Sequence, residues 1–412
     1  MTASELSVSS LSNETARDGT LSTKRASVRR YALLDCWRGI ACLMVMVAHA
    51  GETAGMKYTD GQVPISEFAG QCVAALGALG AGVQIFFVIS GYCISATVSG
   101  FAEQQKSVTQ YFARRFWRIY PAYWAMFMLM AVAVSFSEMA LTQGWIPSPL
   151  HNRHSPFALT GSQLLGNVTL TETWRYHLFG SDRNLFLKHA WTLCYEEQFY
   201  LIVGLLLLFF PRRFFQSIVG VTMASLALFV ASAFHLIDVT GFGFDLQWHP
   251  FAFGVLVYYR LNLAGCQERQ LIDRSLFVVA LLATVANCVP WNWSELSYRI
   301  VRGLAISTVF SWLLIVLYRW DTALVALRPF KLLAMVGGIS YSLYLVHAPI
   351  VAVLARVLQR AGLSSDLQTL LVTVPLCVGI SLPLAWGFFI LFERPFLYRP
   401  TLLQASPNVI TE

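Results

Sequence analysis

Charge is what this chain most lacks. Of its 412 residues, 29 are Lys or Arg and 22 are Asp or Glu, so 12% are charged, about half the roughly 25% usual for soluble domains. A soluble body of this length could not clothe its surface so thinly, and a disordered chain would hold far fewer apolar side chains. The net charge of +7 is spread over short connectors instead of gathered on one surface, so no nucleic-acid partner is expected. The eight cysteines form no C-x-x-C pair and show no metal-ligand spacing. No metal site is expected, and the cysteines read as small packing residues, with a Cys72–Cys288 bond the one pairing left open. Ahead of the first apolar run, residues 1–31 are rich in Ser and Thr and end in Lys24, Arg25, Arg29 and Arg30. Without a small-residue cleavage site, they are expected to be a disordered basic tail, not a removable leader.

What is abundant is apolar: 56% hydrophobic and 14% aromatic residues. Ten segments are long enough for a bilayer, which asks for about 20 residues per helix. They are 32–50, 76–98, 119–137, 190–210, 214–236, 246–262, 274–291, 299–318, 332–355 and 368–392, the sixth being the weakest because it is short and contains His249-Pro250. Lipid leaves backbone groups no partners outside a helix or a closed barrel, and these runs lack barrel alternation. The expected fold class is therefore an all-α integral membrane protein of about ten transmembrane helices. Lys and Arg number nineteen on one set of connectors and nine on the other, which puts both termini in the cytoplasm. The predicted layout is a tail (1–31), a membrane domain (32–395) with an outer-face cap (138–189), and a cytoplasmic tail (396–412), multi-pass in the cell's inner membrane.

Ionisable groups within the spans are costly and therefore informative. Arg38 and His49 are eleven residues apart, three helical turns plus about 20°, so they share a face about 16 Å apart along the axis. Asp35, three residues before Arg38, offers it a partner. Arg115 and Arg118 share an inner-face turn, a spacing that suits phosphate and equally suits anionic lipid or a topology signal. Glu196 and Glu197 fall just below the predicted outer boundary, where a carboxylate can orient a histidine or reach back to headgroups. His347 lies in the middle or outer half of the ninth span, and Gln84 and Ser90 are polar positions in the second. One orientation puts Arg38, Arg115 and Arg118 at the inner side and His49, Glu196 and His347 toward the outer half. That arrangement suits a cytoplasmic donor carrying phosphates on a long arm, such as acyl-coenzyme A.

Several ordered motifs carry a resemblance: Leu34-Asp-Cys-Trp-Arg-Gly-Ile-Ala41 followed by His49, Gly82-Val-Gln-Ile-Phe-Phe-Val-Ile-Ser-Gly91, Arg115-Phe-Trp-Arg118 ahead of Tyr120-Pro121, Trp191-Thr-Leu-Cys-Tyr-Glu-Glu-Gln-Phe-Tyr200, Gly338-Ile-Ser-Tyr-Ser-Leu-Tyr-Leu-Val-His347 and Phe392-Glu-Arg-Pro395. Together they resemble the acyltransferase type 3 family of membrane O-acyltransferases over residues 33–395. The resemblance implies transfer of an acetyl or other short acyl group from acyl-CoA (acetyl-CoA foremost) to a hydroxyl of a carbohydrate acceptor. It implies Arg38, Arg115 and Arg118 as donor-binding residues and His49, Glu196 and His347 as the catalytic set, Glu196 orienting the imidazole. Asp35, Gln84 and Ser90 would position substrate. Two other readings fit the same intramembrane charges: a secondary transporter, and a polysaccharide polymerase or ligase. A non-catalytic lipid partner would account for the arginines alone.

Overall fold

The computed structural model describes residues 31–59, 68–103, 107–146, 155–180, 182–242, 245, 247–289 and 295–397. The predicted tail 1–31, apart from Tyr31, and most of 396–412 lie outside the described residues. Faces are named here by the charge expectation, inner being the end at which the first helix starts. The elements are α1 (Leu33–Thr59), α2 (Phe68–Leu76), α3 (Gly82–Glu103), α4 (Val108–Thr142), α5 (Gly161–Val168), α6 (Glu172–Phe179), α7 (Trp191–Phe209), α8 (Phe214–Ala233), α9 (Trp248–Asn262), α10 (Cys266–Cys288), α11 (Glu295–Leu317), α12 (Asp321–Ala326), α13 (Arg328–Gly338) and α14 (Ser340–Arg360). A last helical run, Asp366–Leu397, is interrupted by π turns at Thr369–Thr373 and Phe389–Glu393.

Among the described residues, nine helices are long and apolar enough to cross a membrane. The sixth predicted span is α9, only 15 residues long, or about 22 Å. Much of its surface is packed against protein: Trp248, Phe251, Val257 and Tyr258 are fully buried. Glycine sets its position. A Cβ on Gly91 would lie 2.0 Å from the Phe251 carbonyl, and one on Gly254 would lie 1.9 Å from the Val88 carbonyl. The two backbones touch reciprocally, as small residues allow in membrane bundles. In contrast, α8 and α10 turn Val219, Met223, Phe277, Leu281 and Leu282 outward, each more than half exposed, as lipid-facing helices should.

The predicted ninth span is two helices, not one. Residue Ile339 breaks the run, leaving α13 as an inner-end element across α1 and α14 as the crossing helix. Gly337 makes the close approach, since its Cβ would lie 1.7 Å from the Asp35 carbonyl, whereas Gly338 faces open space. The closing motif has a structural use: the buried Glu393 carboxylate accepts from the Ser342 N–H (3.1 Å) and from its hydroxyl. That contact satisfies an otherwise orphan donor in the first turn of α14.

The predicted outer loop contains structure of its own. Arg175 grips Glu172 with two hydrogen bonds (2.7 and 3.0 Å), both side chains almost fully buried. Asn167 donates to the Asn184 carbonyl and accepts from the Phe186 N–H, each at 2.8 Å. Tyr123 and Trp124 of α4 donate to the carbonyls of Asn167 and Val168. The segment therefore lies alongside the long helix α4, and the irregular stretch 182–187 leads from it to the start of α7. All eight cysteines are free thiols, Cys72 and Cys288 included, so the one bond left open is not formed.

Candidate active site

Arg38 is fixed on α1 by Asp35, whose carboxylate accepts from Nη1 at 2.9 Å, while Nη2 points to the Cys93 sulfur at 3.0 Å. Arg115 lies over the Tyr200 ring, 4.6 Å from its centroid, and reaches Thr97 at 3.4 Å. Arg118, one turn further along α4, makes no ion pair among the described residues, and its side chain is exposed to a hollow within the bundle. An unpaired guanidinium this deep is tolerable only where water or an anion can reach it.

That hollow is a cavity of about 150 Å³, smaller than the roughly 300–1,000 Å³ of a pocket enclosing a whole drug-sized ligand. All three arginines line it, together with Ser90, Cys93, Glu196 and Tyr200. At its other end it is bounded by Val45, Thr192 and Tyr344. Tyr344 is held from both sides, accepting from the Thr192 hydroxyl (2.8 Å) and donating to the His189 carbonyl.

Three imidazoles stand just past Tyr344. His49, one turn above Val45, stacks on His347 with centroids 5.4 Å apart and planes at 28°. His189 meets His347 edge-on at 5.7 Å and Tyr344 at 5.3 Å. His347 and His189 are buried (1% and 7% exposed), while the His49 side chain is 38% exposed. His347 Nδ1 lies 3.1 Å from the Leu343 carbonyl and 2.7 Å from that of Tyr344. Carbonyls only accept, so this nitrogen carries the hydrogen and Nε2 keeps the lone pair. That Nε2 is buried with no hydrogen-bond partner. His49 Nδ1 contacts the Glu52 carboxylate at 3.1 Å, which leaves its Nε2 as the basic nitrogen by the same reasoning.

The site lies deeper than its sequence position suggests. Thirteen residues of α14 follow His347, about 20 Å of helix, and His189 is level with it. The start of α7 is buried within the bundle, with Phe186, Leu187, His189 and Ala190 all buried, and is reached through the irregular segment 182–187.

Some expectations need correction. Glu196 was expected to orient the imidazole. Instead its carboxylate accepts from the Ser90 hydroxyl at 2.6 Å and lines the arginine cavity. The carboxylate found against His49 is Glu52, three residues along the same helix, a pairing hidden because the predicted span stopped at residue 50 while α1 continues to Thr59. Asp35 is engaged with Arg38. Ser90 does line the arginine cavity, but Gln84 lines a different one on the far side of α3. His189 and Tyr344 were not picked out as site residues. Their helical or loop positions gave no sign that the chain re-enters the bundle. Among the described residues, no group of His, Cys, Asp and Glu has the geometry of a metal site.

Comparison with known proteins bears on this arrangement. The family profile described as "Acyltransferase domain" matches residues 31–390. The O-acetyltransferase OatA of Staphylococcus aureus is 27% identical over 305 residues, covering 66% of this chain and 45% of OatA. A putative membrane-bound transacylase, BcsY of Komagataeibacter xylinus, is 26% identical over 330 residues, covering 77% of this chain and 72% of BcsY. The chain thus spans about half the length of the first of these relatives. No solved structure matches. The profile covers every motif from Leu34 to His347 and both ends of the cavity, and it weighs against the transporter and polymerase readings. This chain belongs to the acyltransferase type 3 family.

Proposed function

We propose that this protein is a membrane O-acyltransferase that moves an acetyl or other short acyl group from acyl-CoA to a hydroxyl of a carbohydrate acceptor at the cell surface, across the inner membrane. The observation that carries this reading is a cavity lined by three guanidiniums and, at its other end, by Tyr344, whose hydroxyl donates to the His189 carbonyl beside the histidine cluster. Its volume suits the slim thiol-bearing arm of a coenzyme, with the phosphates held at the arginine end. Arg118, with no acid partner among the described residues, and Arg38 and Arg115 supply charge-assisted donors to those phosphates. The Glu196–Ser90 pair offers acceptors to amide N–H groups along the arm.

At the upper end His49 is the general base. Its Nε2 takes the proton of the acceptor hydroxyl as that oxygen attacks the thioester carbonyl, and Glu52 stabilises the imidazolium. The carbon–sulfur bond then breaks, and the leaving thiolate recovers the proton from His49. His347 serves as the neutral surface on which the His49 ring is stacked. The acceptor enters from the outer side, where His49 and Glu52 are exposed.

Membranes holding the full chain, given acetyl-CoA labelled in the acetyl group, should transfer label to envelope carbohydrate. His49→Ala, purified with its fold intact, should lose transfer by about 10²–10⁴, the usual contribution of a positioned base. Full transfer by that variant rejects the assignment.

A further inference from the structure

Away from the histidines, a second cavity of about 320 Å³ opens on the outer half of the bundle, between α3, α8, α9 and α11. Its polar wall is Gln84, Gln247, His249 and Arg302, and Gly77 and Gly80, which present bare backbone with open space where a Cβ would be, complete that side. A third cavity of about 410 Å³ lies below it along α8 and α9. The two meet at His249 and Phe253, which line both. Its polar lining is sparse, and Thr222 is already satisfied, donating to Ile218 and accepting from Trp248.

Arg302 makes no ion pair among the described residues, and its one described hydrogen bond, from Nη2, goes to the Ala78 carbonyl at 3.0 Å. A guanidinium has five donors, and Arg302 lines the cavity, so donors beyond the Ala78 bond can serve an anion there. From Phe229 to Phe215, the lining of α8 spans fourteen helical steps, about 21 Å, more than the ~15 Å depth of one leaflet's hydrocarbon. A polar, cationic chamber at the outer level therefore continues into an apolar trough deep enough for a full acyl chain. The α8 wall is the lipid-facing one, with Val219, Met223 and Leu226 exposed.

The geometry points to a binding site for an anionic phospholipid of the outer leaflet, its phosphate on Arg302 and one acyl chain in the trough between α8 and α9. This site is separate from the acyl-transfer chamber: the Gly77–Ala81 turn and α3 stand between them. It does not depend on the proposed chemistry.

The test reconstitutes the full chain in phosphatidylcholine vesicles with a trace of phosphatidylglycerol carrying a photoactivated diazirine on its acyl chain. Label mapped by mass spectrometry is expected on α8 residues 215–229 and α9 residues 249–259. Excess unlabelled phosphatidylglycerol should compete it away, and Arg302→Gln should reduce it several-fold. Since Arg302→Gln also weakens the Ala78 contact, Gly303→Leu provides a second variant. It fills the upper cavity from a position with open space around it and should cut labelling equally while the protein stays monodisperse. The inference is overturned if diazirine phosphatidylcholine labels the same residues as strongly. It is also overturned if both variants label like the parent, or if label follows exposure and falls as heavily on Phe277–Leu282 of α10.

Discussion

The imidazole of His347 hangs from two backbone carbonyls of its own helix, those of Leu343 and Tyr344, and presents its ring to His49 at 5.4 Å. This fixes its tautomer and turns a potential second base into a rigid neighbour. His347→Phe keeps an aromatic surface of similar size but discards the Nδ1 anchor and the buried Nε2. We expect the rate of acyl transfer to fall about 10- to 100-fold, the effect of loosening a near-attack arrangement, while KM for acyl-CoA stays unchanged. Initial rates in reconstituted vesicles, varied in acyl-CoA, read both quantities. An unchanged kcat would remove His347 from the site.

The two carboxylates separate cleanly. Glu52 touches His49, and Glu196 touches Ser90 in the arginine chamber. Glu52→Gln should therefore lower kcat, and adding it to His49→Ala should cost nothing further, because residues acting as a unit are not additive. Glu196→Gln should instead raise KM for acyl-CoA with a smaller change in kcat. A cycle in which Glu196, not Glu52, is non-additive with His49 would reverse these roles.

The arginines permit a test by donor truncation. A charge-assisted hydrogen bond is worth about 1.5–3 kcal/mol, so Arg118→Ala should raise KM for acetyl-CoA by about 10- to 100-fold. S-acetylcysteamine carries the same thioester without phosphates. It should react equally slowly with the parent and with Arg118→Ala. Equal losses on both donors would mean that Arg118 shapes the chamber and does not hold phosphate.

How far the sequence exposed this site follows from which of its features are local. Arg38, Arg115 and Arg118 are legible because charge in an apolar helix is rare and helical spacing puts such residues on one face. All three line one cavity. The membrane bundle is legible for the same reason, since long apolar runs have few alternatives. By contrast, Glu52 was concealed by composition, because α1 runs on past the apolar stretch into Gly51-Glu52-Thr53. His189 and Tyr344 meet only because the chain before α7 dips into the bundle, and periodicity carries no record of that. Helix α9 looked marginal because a helix packed largely against protein need not be as long or as apolar as one surrounded by lipid.

That dip depends on a buried ion pair. Glu172 and Arg175 are 0% and 3% exposed at their side chains, and the Glu172 carboxylate also accepts the Asn184 N–H at 2.8 Å. Arg175 reaches on to the Gly180 carbonyl at 2.9 Å. Removing one partner strands the other, which typically costs about 3–5 kcal/mol, whereas replacing both with neutral groups of similar volume is far milder. Arg175→Met should therefore lower the melting temperature of the detergent-purified protein markedly, and Glu172→Gln with Arg175→Met should recover a substantial part of the loss. Because Asn184 and Phe186 lead the chain to His189, the single variant should also lose acyl transfer at temperatures where it is still folded. If the double variant melts no higher than Arg175→Met, the pair is not what holds this segment in place.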